Sequence, residues 1–141
     1  MRNPARWFKS PGHNFIRMNM NVKEAMGTPY VTVRDTDSVL TGLKRLVKEG
    51  ISGAPVISAD SQLMGMVTEF DLLLAIDHVG EDFPISRLMH REVVSIRPEA
   101  SLEEARELIL THNYRRLPVV ENNKVIGVLS RRDLLRVRFG L

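Results

Sequence analysis

Two stretches of the chain place apolar residues three or four positions apart, which is the spacing of an amphipathic helix. They comprise Val39, Leu40, Leu43, Leu46 and Val47 in the first half and Leu102, Ala105, Leu108 and Ile109 in the second. Ser38 and Ser101 precede the stretches, and serine is a favoured N-cap residue. Gly50 and Asn113 follow them, and both residue types tolerate the left-handed conformation at a helix end. The pattern predicts one helix in each half.

Short runs of apolar and β-branched residues surround each predicted helix and are typical of strands. These runs occupy residues 30–33, 54–57 and 63–67 in the first half and 93–96, 117–120 and 125–129 in the second. Asp60-Ser61 and Asn122-Asn123 supply turn residues between the last two runs of each half. With a further helix after the last run, each half is predicted to have the order β-α-β-β-α.

The two halves also share single residues at a nearly constant offset. Pro118 follows Pro55 by 63 residues, and Gly127 follows Gly65 by 62. Met89 follows Met26 by 63 residues, and each methionine stands shortly before the first strand of its half. This self-similarity indicates two copies of one supersecondary unit.

The repeated motif consists of an apolar-Pro-Val step, a turn, and a glycine strand that ends in Thr/Ser-x-x-Asp. Its residues are Ala54-Pro55-Val56 and Leu117-Pro118-Val119, then Gly65-Met66-Val67-Thr68-x-x-Asp71 and Gly127-Val128-Leu129-Ser130-x-x-Asp133. This motif resembles the CBS (cystathionine-β-synthase-type) domain. Two copies at matched offsets are similar to a tandem CBS pair, also called a Bateman module.

The resemblance implies an α/β (α+β) fold in which two β-α-β-β-α motifs pack through their sheets about a pseudo-two-fold axis. On this interpretation residues 1–21 form a basic, aromatic N-terminal arm, residues 22–79 the first CBS motif and residues 80–141 the second, with both motifs in one compact module. The family also implies a homodimer and a regulated protein partner that the sequence does not identify.

CBS pairs bind AMP, ADP, ATP or S-adenosylmethionine in clefts between the halves, so the resemblance implies an adenine nucleotide as ligand. In the family the aspartate of the motif binds the ribose and the threonine or serine binds phosphate, which here are Asp133 with Ser130 and Asp71 with Thr68. The same residues also form a helix capping box, so capping is an alternative interpretation of each pair. Both roles are compatible, because a helix N-terminus favours a phosphate.

Four arginines distinguish the second motif from the first. Arg115 and Arg116 stand where the first motif has Ser52 and Gly53, and guanidinium groups bind phosphate well. Arg116 matches the basic phosphate-binding position of the family. Arg131 and Arg132 begin the last helix, where positive charge is unfavourable unless an anion is near, although a solvated face is the alternative. The main nucleotide site is therefore predicted at Asp133.

The family completes each cleft with residues at the start of a first strand. For the main site these are Thr28 to Val31, with Thr28 and Val31 as the predicted contacts. The second, weaker site would combine Ser52, Gly53, Thr68 and Asp71 with Val93 and Val94. Because it lacks the arginines, we expect this site to bind weakly or to be empty.

Charge and composition narrow the classes of function. The formal net charge of +3 arises in the first 21 residues, which hold Arg2, Arg6, Lys9 and Arg17 and no acidic residue. Beyond them the chain is close to neutral, so nucleic-acid binding through the arm remains only an alternative. The chain has no cysteine, which favours the cytoplasm. It also lacks the roughly 20 consecutive apolar residues of a membrane span.

Catalytic and metal-binding patterns are not found in the sequence. His13, His78, His90 and His112 are scattered without ligand spacing, and no phosphate-binding loop of the Gly-x-x-x-x-Gly-Lys type occurs. The prediction is a regulatory module that senses an adenine nucleotide and is not an enzyme. A ligand-free dimerisation or interaction scaffold is the alternative of a different class.

Overall fold

The computed structural model describes residues 20–27 and 29–141. The described chain forms two compact units. The first-repeat unit comprises Val31–Val94 and Asn122–Val125, and the second-repeat unit comprises Ser95–Glu121, Ile126–Leu141 and the described residues up to Tyr30. Residues 1–19 of the predicted arm, and the predicted site residue Thr28, lie outside the described residues.

The first repeat follows the predicted β-α-β-β-α order, whereas the second repeat has only the α-β-β-α part of it. The helices are α1 (Val22–Ala25), α2 (Val39–Glu49), α3 (Glu69–Val79), α4 (Leu102–His112) and α5 (Arg131–Phe139), and the strands are β1 (Val33–Arg34), β2 (Gly53–Ile57), β3 (Leu63–Thr68), β4 (Arg116–Glu121) and β5 (Lys124–Ser130). A 3-10 turn at Ile85–Arg87 follows α3. The mixed α+β class predicted from the sequence is confirmed.

Helices α2 and α4 begin and end at the capping residues predicted from the sequence. The Ser38 and Ser101 hydroxyls accept hydrogen bonds from the backbone N–H groups of Thr41 and Glu104. Gly50 ends α2 and Asn113 ends α4 in the left-handed conformation, at φ 67° and 58°. Short local patterns therefore determine both helices.

The first-repeat unit contains a three-stranded sheet of order β1-β2-β3. β1 runs parallel to β2, with Val33 opposite Val56, and β3 runs antiparallel to β2. The sheet and its helices enclose an apolar core formed by Val33, Val39, Leu46, Ala54, Val56, Val67, Leu72, Ile85 and Met89. The sheet holds β3 in place, and the end of β3 begins helix α3.

The second-repeat unit contains β4 and most of β5, which pair as a two-stranded sheet. Asn122 and Asn123 connect the two strands at positive φ. The strand predicted at 93–96 is reduced to one parallel bridge between Ile96 and Val119. Pro98 follows closely, and because proline has no N–H it ends the pairing. The strand predicted at 30–33 likewise begins only at Val33.

A short segment packs beside the hairpin of each unit. Within the second-repeat unit, the Val22 N–H donates to the Ala100 carbonyl at 2.9 Å, and Gly27 bridges Val128 of β5. Within the first-repeat unit, the Ile85 N–H donates to the Asp37 carbonyl at 2.9 Å. Each compact unit thus contains a segment that precedes the other repeat in the sequence.

The search for membrane-crossing helices among residues 20–27 and 29–141 found none with sufficient length and apolar character.

Candidate functional site

The predicted hydroxyl and carboxylate pairs lie at the N-termini of α3 and α5. Ser130 is the N-cap of α5 and its Oγ accepts the Asp133 N–H at 3.1 Å, while Asp133 Oδ2 accepts the Ser130 N–H at 2.8 Å. Thr68 Oγ1 accepts the Asp71 N–H at 3.2 Å in the same way. Both pairs therefore cap their helices, as the alternative interpretation of the motif proposed.

Asp133 is the buried charged residue at the centre of the second-repeat site, with 4% of its surface exposed. Its Oδ2 bonds the Ser130 N–H, and its Oδ1 accepts from the Arg136 guanidinium one turn along α5. A carboxylate has about four lone-pair positions. Within residues 20–27 and 29–141, the two bonds leave about two acceptor positions for another donor, and Gly27 brings no side chain to this region.

The backbone N–H groups at the start of α5 are mostly used within the protein. The Arg131 N–H donates to the Arg115 carbonyl at 2.9 Å, and the Asp133 N–H donates to Ser130. A helix N-terminus binds phosphate through free N–H groups, but two of the first three here are engaged. A phosphate here would have to be held mainly by side chains.

Arg131 is oriented toward the end of α4. Its Nε donates to the Tyr114 carbonyl at 2.5 Å, and its Nη2 donates to Asn113 Oδ1 at 2.8 Å. These bonds place the guanidinium just beyond the C-terminus of α4, where a positive charge is favourable. Arg131 therefore has a structural role in this arrangement.

The other residues predicted for the main site are distributed as follows. Arg115 and Arg132 are exposed, and Arg116 is half-buried at the start of β4. All three belong to the second-repeat unit together with Ser130 and Asp133, whereas Val31 belongs to the first-repeat unit. The structure thus brings the arginines and the Ser130 and Asp133 pair into one unit.

The residues predicted for the second site all belong to the first-repeat unit. Gly53 pairs with Thr68 in the sheet, and the Ser52 carbonyl accepts the Glu69 N–H at 2.9 Å. Val93 and Val94 are half-buried. The Ser52 bond corresponds to the one between Arg131 and Arg115, so the two helix N-termini are built alike.

His90, which was not among the predicted site residues, contacts Asp71. Its Nε2 lies 2.7 Å from Asp71 Oδ2, with 64% of the His90 side chain and 28% of the Asp71 side chain exposed. The repeat offset could have identified His90 as the counterpart of Gly27, which it follows by 63 residues. Each of the two residues stands directly after a methionine, Gly27 after Met26 and His90 after Met89.

An apolar groove between α4 and α5 was also missed. Its volume is about 320 Å³. Its lining residues are Leu102, Arg106, Ile109, Leu110, Asn113, Arg131, Leu134, Leu135, Val137 and Arg138. Among residues 20–27 and 29–141, no group of three or more histidine, aspartate or glutamate side chains is arranged to hold a metal ion.

The CBS domain model matches residues 22–78 and 85–140, which is most of the chain. The chain belongs to the CBS domain family. This CBS pair is 33% identical over 116 residues to the CBS domain-containing protein YhcV of Bacillus subtilis, covering 81% of this chain and 82% of that protein. It also resembles CBSX2, a CBS-pair protein of Arabidopsis thaliana, in its complex with AMP: the identity is 31% and the TM-score 0.74, over 83% of this chain and 94% of that one.

Other relatives are much longer proteins. An A-adding tRNA nucleotidyltransferase of Aquifex aeolicus is 31% identical over 119 residues, which cover 84% of this chain but only 14% of that enzyme. The similarity is therefore confined to a small part of that protein.

Proposed function

We propose that this CBS pair is a non-catalytic regulatory module that binds an adenine nucleotide at Asp133. The observation that carries the proposal is a buried carboxylate that makes two hydrogen bonds to described residues and has about four acceptor positions. It lies at a capped helix end in the unit that also holds Arg115, Arg116 and Arg132. The AMP complex of CBSX2, at 31% identity, supports the choice of ligand. Binding would change the population of conformations that a partner recognises.

Each side chain has a defined role in the proposed site. Asp133 accepts a hydrogen bond from a ribose hydroxyl, because ionised carboxylates are acceptors only. Arg116 and Arg132 bind the phosphate, and Arg115 adds positive charge nearby. Arg131 remains bonded at the end of α4 and does not contact the ligand. This assignment narrows the four arginines of the sequence prediction to three.

The test is isothermal titration of the protein with AMP, ADP, ATP and S-adenosylmethionine. We expect at least one to bind, and at about 100 times its Kd to stabilise the fold by about 2.7 kcal/mol. Asp133→Asn preserves the size of the side chain but removes its charge, so we expect it to abolish binding at the main site. Asp71→Asn is the matched control in the other repeat and should retain that binding.

Two outcomes would contradict the proposal. If none of the four compounds binds or raises the melting temperature, the ligand-free scaffold becomes the better interpretation. If the protein instead binds nucleic acid with an affinity that falls steeply with salt, and ignores adenine compounds, the basic-arm alternative is favoured. Equal loss of binding in Asp133→Asn and Asp71→Asn would mean that the assignment to one carboxylate is wrong.

We also propose that the module is a homodimer, which associates through exposed apolar helix faces. Leu110 of α4 is 62% exposed and Leu135 of α5 is 49% exposed. Val47 and Leu73, at the corresponding positions of the first repeat, are exposed by 66% and 60%. Apolar side chains that are exposed in both repeats are typical of an association surface.

Sedimentation velocity tests this association. Leu110→Glu should shift the protein toward the monomer, because it places a charge in the apolar contact. Glu104→Gln, an exposed change on a different face of the same helix, should leave the dimer intact. A wild-type protein that sediments as a monomer at micromolar concentration would exclude the proposal.

A further inference from the structure

The two carboxylates of the CBS pair have neighbours that differ between the repeats. Asp71 and Asp133 occupy corresponding positions, and so do the residues that bridge the neighbouring strands. Gly27 forms an antiparallel bridge with Val128 of β5, and His90 forms the same bridge with Met66 of β3. Gly27 and His90 are therefore structural counterparts, and each belongs to the unit whose carboxylate it approaches.

At this bridge position a side chain lies beside Asp71, whereas the glycine at the same position leaves none beside Asp133. A Cβ atom built on Gly27 would lie 3.6 Å from Asp133 Oδ1. At the matching position the His90 imidazole is present, and its Nε2 lies 2.7 Å from Asp71 Oδ2. The imidazole thus occupies the same side of Asp71 that glycine leaves without a side chain at Asp133.

The carboxylates are also balanced by different groups. Arg136 pairs with Asp133 from within α5. The corresponding residue of α3 is Leu74, which cannot form an ion pair. Asp71 is instead bonded by His90, so its partner approaches from the neighbouring segment.

We propose that His90 is a specificity-determining residue that competes with the ligand for Asp71 and so makes the two nucleotide sites unequal. This inference rests on the proposed function, because it assigns a ribose hydroxyl to the carboxylate of each motif. A bound ribose must displace the imidazole from Asp71, whereas Gly27 presents no such competitor at Asp133. An exposed pair of this kind contributes up to about 1 kcal/mol, so its removal should tighten binding by about fivefold.

The experiment measures AMP affinity at the Asp71 site alone. In an Asp133→Asn background, His90→Ala should bind AMP about fivefold more tightly than the background protein. His78→Ala is the matched control, because His78 is exposed and its Nδ1 contacts the Leu74 carbonyl of its own helix. This control should leave the affinity unchanged. With Asp133 intact, His90→Ala should raise the number of AMP sites per chain detected at micromolar concentration.

The reciprocal change tests the other carboxylate. Gly27→His should weaken AMP binding at Asp133, whereas Gly27→Ala should have little effect because its Cβ would form an ordinary van der Waals contact. In the wild-type protein, saturating AMP should shift the imidazole resonances of His90 and leave those of His78 in place.

The outcomes separate this inference from the proposed function. If the wild type binds AMP but His90→Ala leaves the Asp71 site within twofold of its original affinity, the inference is overturned and the proposed function stands. If His90→Ala weakens binding, His90 is a ligand contact and not a competitor. If neither the wild type nor any variant binds AMP, the proposed function fails together with the inference.

Discussion

Substitution of Gly65 by alanine tests how closely the segment at Met89 and His90 must approach β3. A Cβ atom on Gly65 would lie 2.6 Å from the His90 carbonyl oxygen and 2.9 Å from Met89 Cγ. The carbonyl is backbone and cannot rotate away. It also accepts the Met66 N–H at 2.8 Å, so the new methyl group would displace one half of the bridge.

The magnitude follows from three contributions. Overpacking a close contact costs about 1–3 kcal/mol. A weakened hydrogen bond of the bridge between Met66 and His90 costs about 1 kcal/mol. Replacing glycine restricts the unfolded chain and returns about 0.5–1 kcal/mol. We expect Gly65→Ala to lower the free energy of unfolding by about 2 kcal/mol, which corresponds to a melting temperature about 6 °C lower for a chain of this size.

Gly127→Ala is the matched control in the other repeat. Its Cβ atom would meet only side-chain atoms of Met26 among the nearest contacts. Methionine has three rotatable bonds and adapts to changes in packing, so we expect a cost below about 1 kcal/mol. Urea denaturation at constant m-value measures both variants. If Gly65→Ala is as stable as Gly127→Ala, the backbone contact at His90 does not limit the fold, and the reasoning is refuted.

Two further predictions concern the junction of α4 and α5. Arg131→Ala should destabilise the protein by about 1–2 kcal/mol in urea denaturation, because the Tyr114 carbonyl and Asn113 lose a charged donor. Arg132→Ala should change stability by less than about 0.5 kcal/mol but weaken AMP binding. If Arg132→Ala were the more destabilising variant and Arg131→Ala the one that weakens AMP binding, both assignments would be contradicted. Asn113→Ala and Asn113→Gly both remove the bond to Arg131 Nη2, but alanine is also strained at a φ of 58°, so in the same assay Asn113→Ala should be about 1 kcal/mol less stable than Asn113→Gly.

The local parts of the fold were predictable because short patterns of residues determine them. Ser38 and Gly50 define the ends of α2, and Asn122-Asn123 form the predicted turn at positive φ. The repeat then predicted the order of elements and the equivalence of Asp71 with Asp133. These features depend on neighbours within a few residues, or on a motif present twice.

The strand at 93–96 and the position of the leading segments were not predictable in the same way. β-branched residues at Val93 and Val94 favour a strand, but the ladder is limited to Ile96, with Pro98 close behind. The segment that precedes each repeat in the sequence packs in the unit of the other repeat. This packing depends on contacts between residues that are distant in the sequence. Apolar residues such as Val22 and Ile85 indicate burial without identifying the surface that buries them.

Arg131 illustrates why side-chain roles are harder to predict than elements. Its position in the first turn of α5 suggested an anion, because a cation there opposes the helix dipole. In the structure the long side chain reaches the C-terminal end of α4, where the dipole favours a positive charge, and it bonds the Tyr114 carbonyl. One residue can thus lie at an unfavourable backbone position while its charged group lies at a favourable one.

The inequality of the two carboxylates arises from residues outside the repeated motif. Both Thr/Ser-x-x-Asp steps cap their helices, so the motif supplies the same backbone geometry twice. Asp133 is balanced by Arg136 from its own helix, whereas Asp71 has Leu74 at that position and bonds His90 instead. The fold accepts arginine or leucine at one of these partner positions and glycine or histidine at the other. Ligand affinity at one site can therefore change while the hairpin and the helix that present the carboxylate stay the same. A substitution at His90 should therefore alter nucleotide binding at Asp71 far more than it alters stability, whereas a substitution at Asp71 should alter both.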